Sequence, residues 1–141
     1  MKKIMIAMSF FLLSTAIRAD DGADLVKRGL EAYKKSGATE AVNVWVKNGG
    51  LEGSKAVIAQ ASTFTQIETY YGDFESYEIV KINNISERSQ MILYVMHYES
   101  GPTYGRFQAY KKLDGTWVAT EFKFHTEAVQ VWPSETVFGK N

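Results

Sequence analysis

Hydrophobic periodicity changes once along this chain, near residue 72, and that change leaves few architectures open. Ahead of it, apolar residues recur at helical spacing. Ala23, Val26, Leu30 and Tyr33 lie three, four and three apart, with Asp21 placed to cap a first helix and Gly37 to end it. Thr39 is expected to cap a second, shorter helix carrying Ala41, Val42, Trp45 and Val46, which Asn48-Gly49-Gly50 stops. Ser54 is expected to cap a third helix. Val57, Ala61, Phe64, Ile67 and Tyr71 form its apolar stripe, and Gly72 is its end.

Beyond residue 72 the pattern is that of strands. Four runs are predicted, over 77–82, 90–98, 103–112 and 116–125. Asp114-Gly115 separates the last two and is the strongest short-range hairpin signal in the chain. Taken as a two-residue turn, it sets Leu113 against Thr116, Ala109 against Thr120, Phe107 against Phe122 and Gly105 against Phe124. One face then carries Gly105, Phe107, Ala109, Val118, Thr120, Phe122 and Phe124. The other carries Tyr104, Arg106, Gln108, Tyr110, Ala119, Glu121, Lys123 and His125. The apolar face needs a cover, and three amphipathic helices supply it. The expected fold is α+β, with N-terminal helices packed on a curved antiparallel sheet of about four strands.

Composition narrows the function classes. The chain has 141 residues, enough for one domain, with 45% apolar and 23% charged side chains, which argues against global disorder. It has no cysteine, so disulfides, thiolate zinc sites and cysteine nucleophiles are excluded. Sixteen basic against 16 acidic groups lack the basic excess of a nucleic-acid binder.

The first 19 residues carry a different message. Lys2 and Lys3 precede an apolar run from Ile4 to Leu13, and Ala19 supplies the small residue wanted at a cleavage point. This is the three-part pattern of a secretory signal peptide. The run is too short to span a bilayer and is broken by Arg18, so no membrane association is expected after cleavage. Residues 1–19 are therefore read as a leader and 20–141 as one domain. Removing Lys2, Lys3 and Arg18 leaves 13 basic against 16 acidic groups, a formal net charge of −3. The expected location is the periplasm or the extracellular space of a bacterium.

The order of three helices and then long hairpins resembles the NTF2-like, or cystatin-like, cone. Three stretches carry the likeness: Tyr70-Tyr71-Gly72-Asp73, the run from Tyr98 to Phe107, and Trp117 to His125. They are similar to small secreted bacterial members of the superfamily without assigned activity. The chain departs from the commoner cone by lacking a short strand between the second and third helices. The resemblance implies a curved sheet wrapped around helices and a small-molecule cavity at the open end, with Tyr33, Tyr70 and Tyr94 as candidates to line it. It does not imply one activity, because the superfamily includes isomerases, dehydratases, transport factors and non-catalytic proteins.

Motifs for chemistry are sparse. The stretch from Gly49 to Lys55 lacks the order of a phosphate loop and sits between helices, so it reads as a linker. His125-Thr126-Glu127 lacks the cysteines that would complete a zinc deaminase signature. A four-residue Glu99–Pro102 loop would set His97 against Tyr104. His97, Tyr104 and His125 would then form a row across three strands, with Arg106 and Lys123 beside it. Such groups can build a general base and an anion clamp. The simpler reading is the covering of a solvated or dimer-forming sheet face, and two histidines without a nearby carboxylate make a poor metal site. Trp45, Phe64, Ile67 and Tyr71 are expected in the core, facing Phe107, Phe122 and Phe124.

The favoured expectation is a non-catalytic module with no cofactor and no metal, binding a small apolar ligand or a protein partner. Left open beside it is a self-associating protein that forms a homodimer through the face holding His97, Tyr104, Arg106, Gln108, Tyr110, Glu121, Lys123 and His125. The alternative is an NTF2-like enzyme of isomerase, dehydratase or hydrolase type, with an acid–base pair inside the cone.

Overall fold

The computed structural model describes residues 20–140. The leader read over residues 1–19 lies outside the described residues. The first helix, α1 (Gly22–Ser36), begins on a reciprocal cap. Asp21 accepts the Asp24 N–H at 3.0 Å, and Asp24 accepts the Asp21 N–H at 3.0 Å. The next orphan donor, Gly22 N–H, is met from the sheet by the buried Gln90 side chain at 2.8 Å.

Gly37, at φ 94°, ends α1 and turns the chain so sharply that α2 (Ala38–Val46) starts at the next residue. Thr39 therefore lies inside α2 rather than at its cap. The third predicted helix divides into α3 (Lys55–Ile58) and α4 (Gln60–Tyr71). Ser62 engages the Ala59 carbonyl through both its N–H, at 3.2 Å, and its hydroxyl, at 2.7 Å. Local bonding of this kind competes with the regular ladder and tightens the junction. Gly72 closes α4 as expected.

Four strands follow: β1 (Phe74–Ser86), β2 (Ser89–Tyr98), β3 (Gly101–Lys111) and β4 (Trp117–His125). They form an open antiparallel meander in that order, with β1 and β4 at its edges. The N-terminal helices cover one face. The fold is α+β.

Two turns differ from expectation. Between β3 and β4 the loop has three residues, Leu113 to Gly115. Gly115 N–H bonds the Lys112 carbonyl at 3.0 Å, Lys112 N–H bonds the Thr116 carbonyl at 2.9 Å, and Gly115 takes φ 88°. A three-residue hairpin with glycine in the left-handed region matches strand twist well. Near the turn the pairing is displaced by one, so Ala109 faces Ala119 and not Thr120. A bulge at Thr120 restores it, and Phe107–Phe122 and Gly105–Phe124 pair as predicted. In consequence Trp117 and Ala119 join the core, Val118 turns to the outer face, and Thr120 is exposed. Between β2 and β3 the loop has two residues, not four. Tyr98 faces Gly101 and His97 faces Pro102. A shift of two leaves His97 on the predicted outer face.

The core is organised by Trp45. Its indole N–H donates to the Val26 carbonyl at 3.2 Å, and its ring lies against Gly29 of α1, where any Cβ would collide with it. The ring meets Phe122 at 5.1 Å, Phe107 at 5.5 Å, Tyr94 at 6.1 Å and Phe64 at 6.2 Å between centroids. Phe64 stacks on Phe124 at 3.7 Å. Ile67 is buried with them, whereas Tyr71 and Phe124 are only partly covered.

That difference in cover separates two otherwise similar rings. Phe122→Ala should destabilise the fold by ~3–5 kcal/mol, the cost of emptying a closed aromatic site. Phe124→Ala should cost about half as much, because water can relax into the space it leaves. Denaturant midpoints at unchanged m-value measure both. Equal losses would mean that Phe124 is as deeply enclosed as Phe122.

Candidate ligand cleft on the outer sheet face

The sheet face turned away from α1–α4 is not uniformly polar. Leu93 and Val95 point outward from β2 and yet are only 4% and 8% exposed. The chain's own C-terminal segment lies beside Leu93. After β4 the backbone makes a 3-10 turn at Ala128–Gln130, buries Val131, and continues through Trp132 and Pro133 into α5 (Ser134–Phe138). Trp132 fastens it. Its indole N–H donates to the Gly105 carbonyl at 2.8 Å, and its ring meets Tyr104 edge to face at 5.0 Å. Arg106 adds a long contact to the Val131 carbonyl at 3.5 Å.

Between this segment and the β1–β2 side of the sheet lies a cleft of about 540 Å³, within the range of small-molecule sites. Met91 and Leu93 form its floor, and Val129, Trp132 and Pro133 its wall. Lys81 and Asn83 of β1, Arg106 and Gln130 supply polar groups. A second hollow, about 580 Å³ and more open, follows the free edge of β4 beside Leu51, Val57, Gln60 and Thr63.

The predicted outer-face residues share that face but do not form the predicted row. Tyr104 lies between Val95 and His125, while His97 sits opposite Pro102. The charged groups and both histidines have local partners. His97 Nε2 meets Glu78 at 2.8 Å, and His125 Nδ1 accepts the Glu127 N–H at 2.9 Å. Glu121 is shared by Arg106 and Lys123, each at 3.1 Å. The Lys123 contact and then the Arg106 contact hold the Glu121 carboxyl below its usual range. Thr120 marks the bulge next to it and bonds the Gln108 carbonyl at 3.2 Å. Tyr110 carries the Arg88 guanidinium over its ring at 4.8 Å.

Tyr33, Tyr70 and Tyr94 are not brought to one cavity among the described residues. Tyr33 is buried between helices and sheet, donates to Glu68 at 2.7 Å, and borders a small recess of about 280 Å³. Tyr94 is fully buried, its ring lies over Gly105 where a Cβ would collide with it, and its hydroxyl has no hydrogen-bond partner among the described residues. Tyr70 stands 79% exposed at the end of α4. Burial raises the Tyr33 and Tyr94 hydroxyls well above the ordinary phenol range and pushes Tyr98 up to about 12.

The cleft residues Lys81, Asn83, Met91, Leu93, Val129, Gln130 and Trp132 were not candidates in the sequence. One signal for them was present. Met91 to Met96 is an unbroken apolar run, the pattern of a strand covered on both faces. Among the described residues no three His, Asp or Glu side chains come close enough to hold a metal ion, and no helix is long and apolar enough to cross a membrane. Comparison with protein-family models, curated proteins and solved structures gives no match.

The anchoring of the cleft wall is testable at Trp132. Trp132→Ala should cost ~1–3 kcal/mol, the sum of one hydrogen bond and one aromatic pair. Amide exchange should accelerate across residues 128–138 while β2 and β3 keep their protection. Wild-type protection of 128–138 in this variant would place the anchor elsewhere.

Proposed function

We propose that this protein is a secreted, NTF2-like, non-catalytic module that binds a small, largely apolar ligand in the outer-face cleft. The observation that carries the reading is the cleft itself. It combines an apolar floor, a wall anchored by the Trp132 indole, and a few polar groups at the rim, which is the usual make-up of a small-molecule site. The interior offers less. Trp45, Phe64, Tyr94 and Phe107 are fully buried there and fill the space between helices and sheet.

An acid–base enzyme would need a carboxylate or imidazole directed into an enclosed pocket. His97, Glu121 and His125 lie on the outer face, each engaged by a neighbour, which favours binding over catalysis. The same face was the expected self-association surface. The C-terminal segment already occupies it beside Tyr104 and Arg106, and this favours a small ligand over a second copy.

Two measurements test the proposal. A neutral environment-sensitive naphthalene dye should bind the wild type with a blue-shifted emission. Met91→Trp and Val129→Trp should abolish that shift by filling the cleft while leaving the melting temperature nearly unchanged. Undiminished dye binding in both folded variants would remove the cleft as the site. For location, the mass of protein recovered from a secretion-competent bacterial host should correspond to a chain starting at Asp20. Retention of Met1 to Ala19 would overturn the secretion reading.

A further inference from the structure

The polar groups of the cleft are one-sided in charge. Lys81 and Arg106 line it, and among the described residues no carboxylate does. The two cations are not equivalent. Arg106 is committed, with one nitrogen on Glu121 at 3.1 Å and another at 3.5 Å from the Val131 carbonyl. Lys81 makes no ion pair among the described residues. Glu78, the acidic residue nearest to it along the strand, is taken by His97 at 2.8 Å.

Backbone geometry brings Lys81 to this place. Ile79 pairs with Tyr94, and the next matched pair is Lys81 with Leu93, so Val80 is an extra residue in β1. In an unbroken ladder residue 81 would share the face of Ile79, toward the helices. The bulge moves it to the opposite face, beside Leu93 on the cleft floor. Bulges re-aim side chains, and this one delivers an unpaired ammonium to the rim of an apolar hollow. Asn83, opposite Met91, and Gln130 add amide groups at the same rim.

Resting on the cleft reading above, we propose that the ligand is an anionic amphiphile, a small apolar molecule bearing one carboxylate. The carboxylate pairs with Lys81 and accepts hydrogen bonds from the Asn83 and Gln130 amides. The apolar body lies on Met91 and Leu93 and beneath Val129 and Trp132. A cationic ligand would be repelled by the Lys81 charge, and a neutral one would gain nothing from it.

Decanoate and decanol share a tail and differ in the head group, so calorimetric titration of both isolates the charge. The wild type should bind decanoate about two- to fivefold more tightly than decanol, the size of one partly screened ion pair. Raising the ionic strength should narrow the gap. Lys81→Met should remove the preference by weakening decanoate alone, and Lys81→Arg should retain it. Equal binding of the two by the wild type, with the neutral dye still bound, would overturn the anion assignment and leave the cleft standing. So would a Lys81→Met variant that keeps the preference or weakens decanol equally. Failure of the neutral dye and of both decyl compounds would overturn the cleft itself.

Discussion

Trp45 is the contact on which the two layers depend. A single indole reaches the Val26 carbonyl and the bare face of Gly29 in α1, and four rings from α4, β2, β3 and β4. Its placement requires a glycine on the neighbouring helix, because a methyl group at residue 29 would occupy the volume of the indole ring. The same device recurs within the sheet, where the Tyr94 ring lies over Gly105. In both cases a large aromatic gains close contact with a backbone that carries no side chain.

Two bulges decide which side chains face outward. The bulge at Thr120 corrects the one-residue displacement created by the three-residue hairpin, and thereby returns Phe122 and Phe124 to the helix side. The bulge at Val80 has the opposite consequence, turning Lys81 away from the helices and onto the cleft. The long edge strand β1 also leaves Val80, Ile82 and Ile85 more than two-fifths exposed. Its register irregularities and its Glu75, Glu78 and Lys81 side chains make it a poor template for pairing with another chain.

The outer face is a shared product of sheet and C-terminal segment. Trp132 ties residues far apart in sequence, and Leu93 and Val95 of β2 are buried on the face to which it returns. The cleft is what remains where that segment stops short of β1. Contacts on this face follow a simple order: Glu78 meets His97, Glu121 is shared by Arg106 and Lys123, and Lys81 has no ion-pair partner among the described residues.

Local signals in the sequence were enough for the layers. Asp21 and Gly37 bound α1, Gly72 ends α4, and alternation predicts that Phe107, Phe122 and Phe124 meet the helices, although it puts Trp117 on the wrong face, because capping and side-chain parity act over a few residues. The apolar run through β2 also held a trace of the second cover. What local signals did not determine were the loop lengths at Glu99-Ser100 and Leu113–Gly115, the bulges at Val80 and Thr120, and the return of Trp132 onto Gly105. Each depends on strand twist and on contacts between distant segments, for which neighbouring residues carry no period. The cleft joins positions 81–93 to positions 129–133. It exists only once the meander has formed and the chain end has folded across it, so tertiary structure alone decided it.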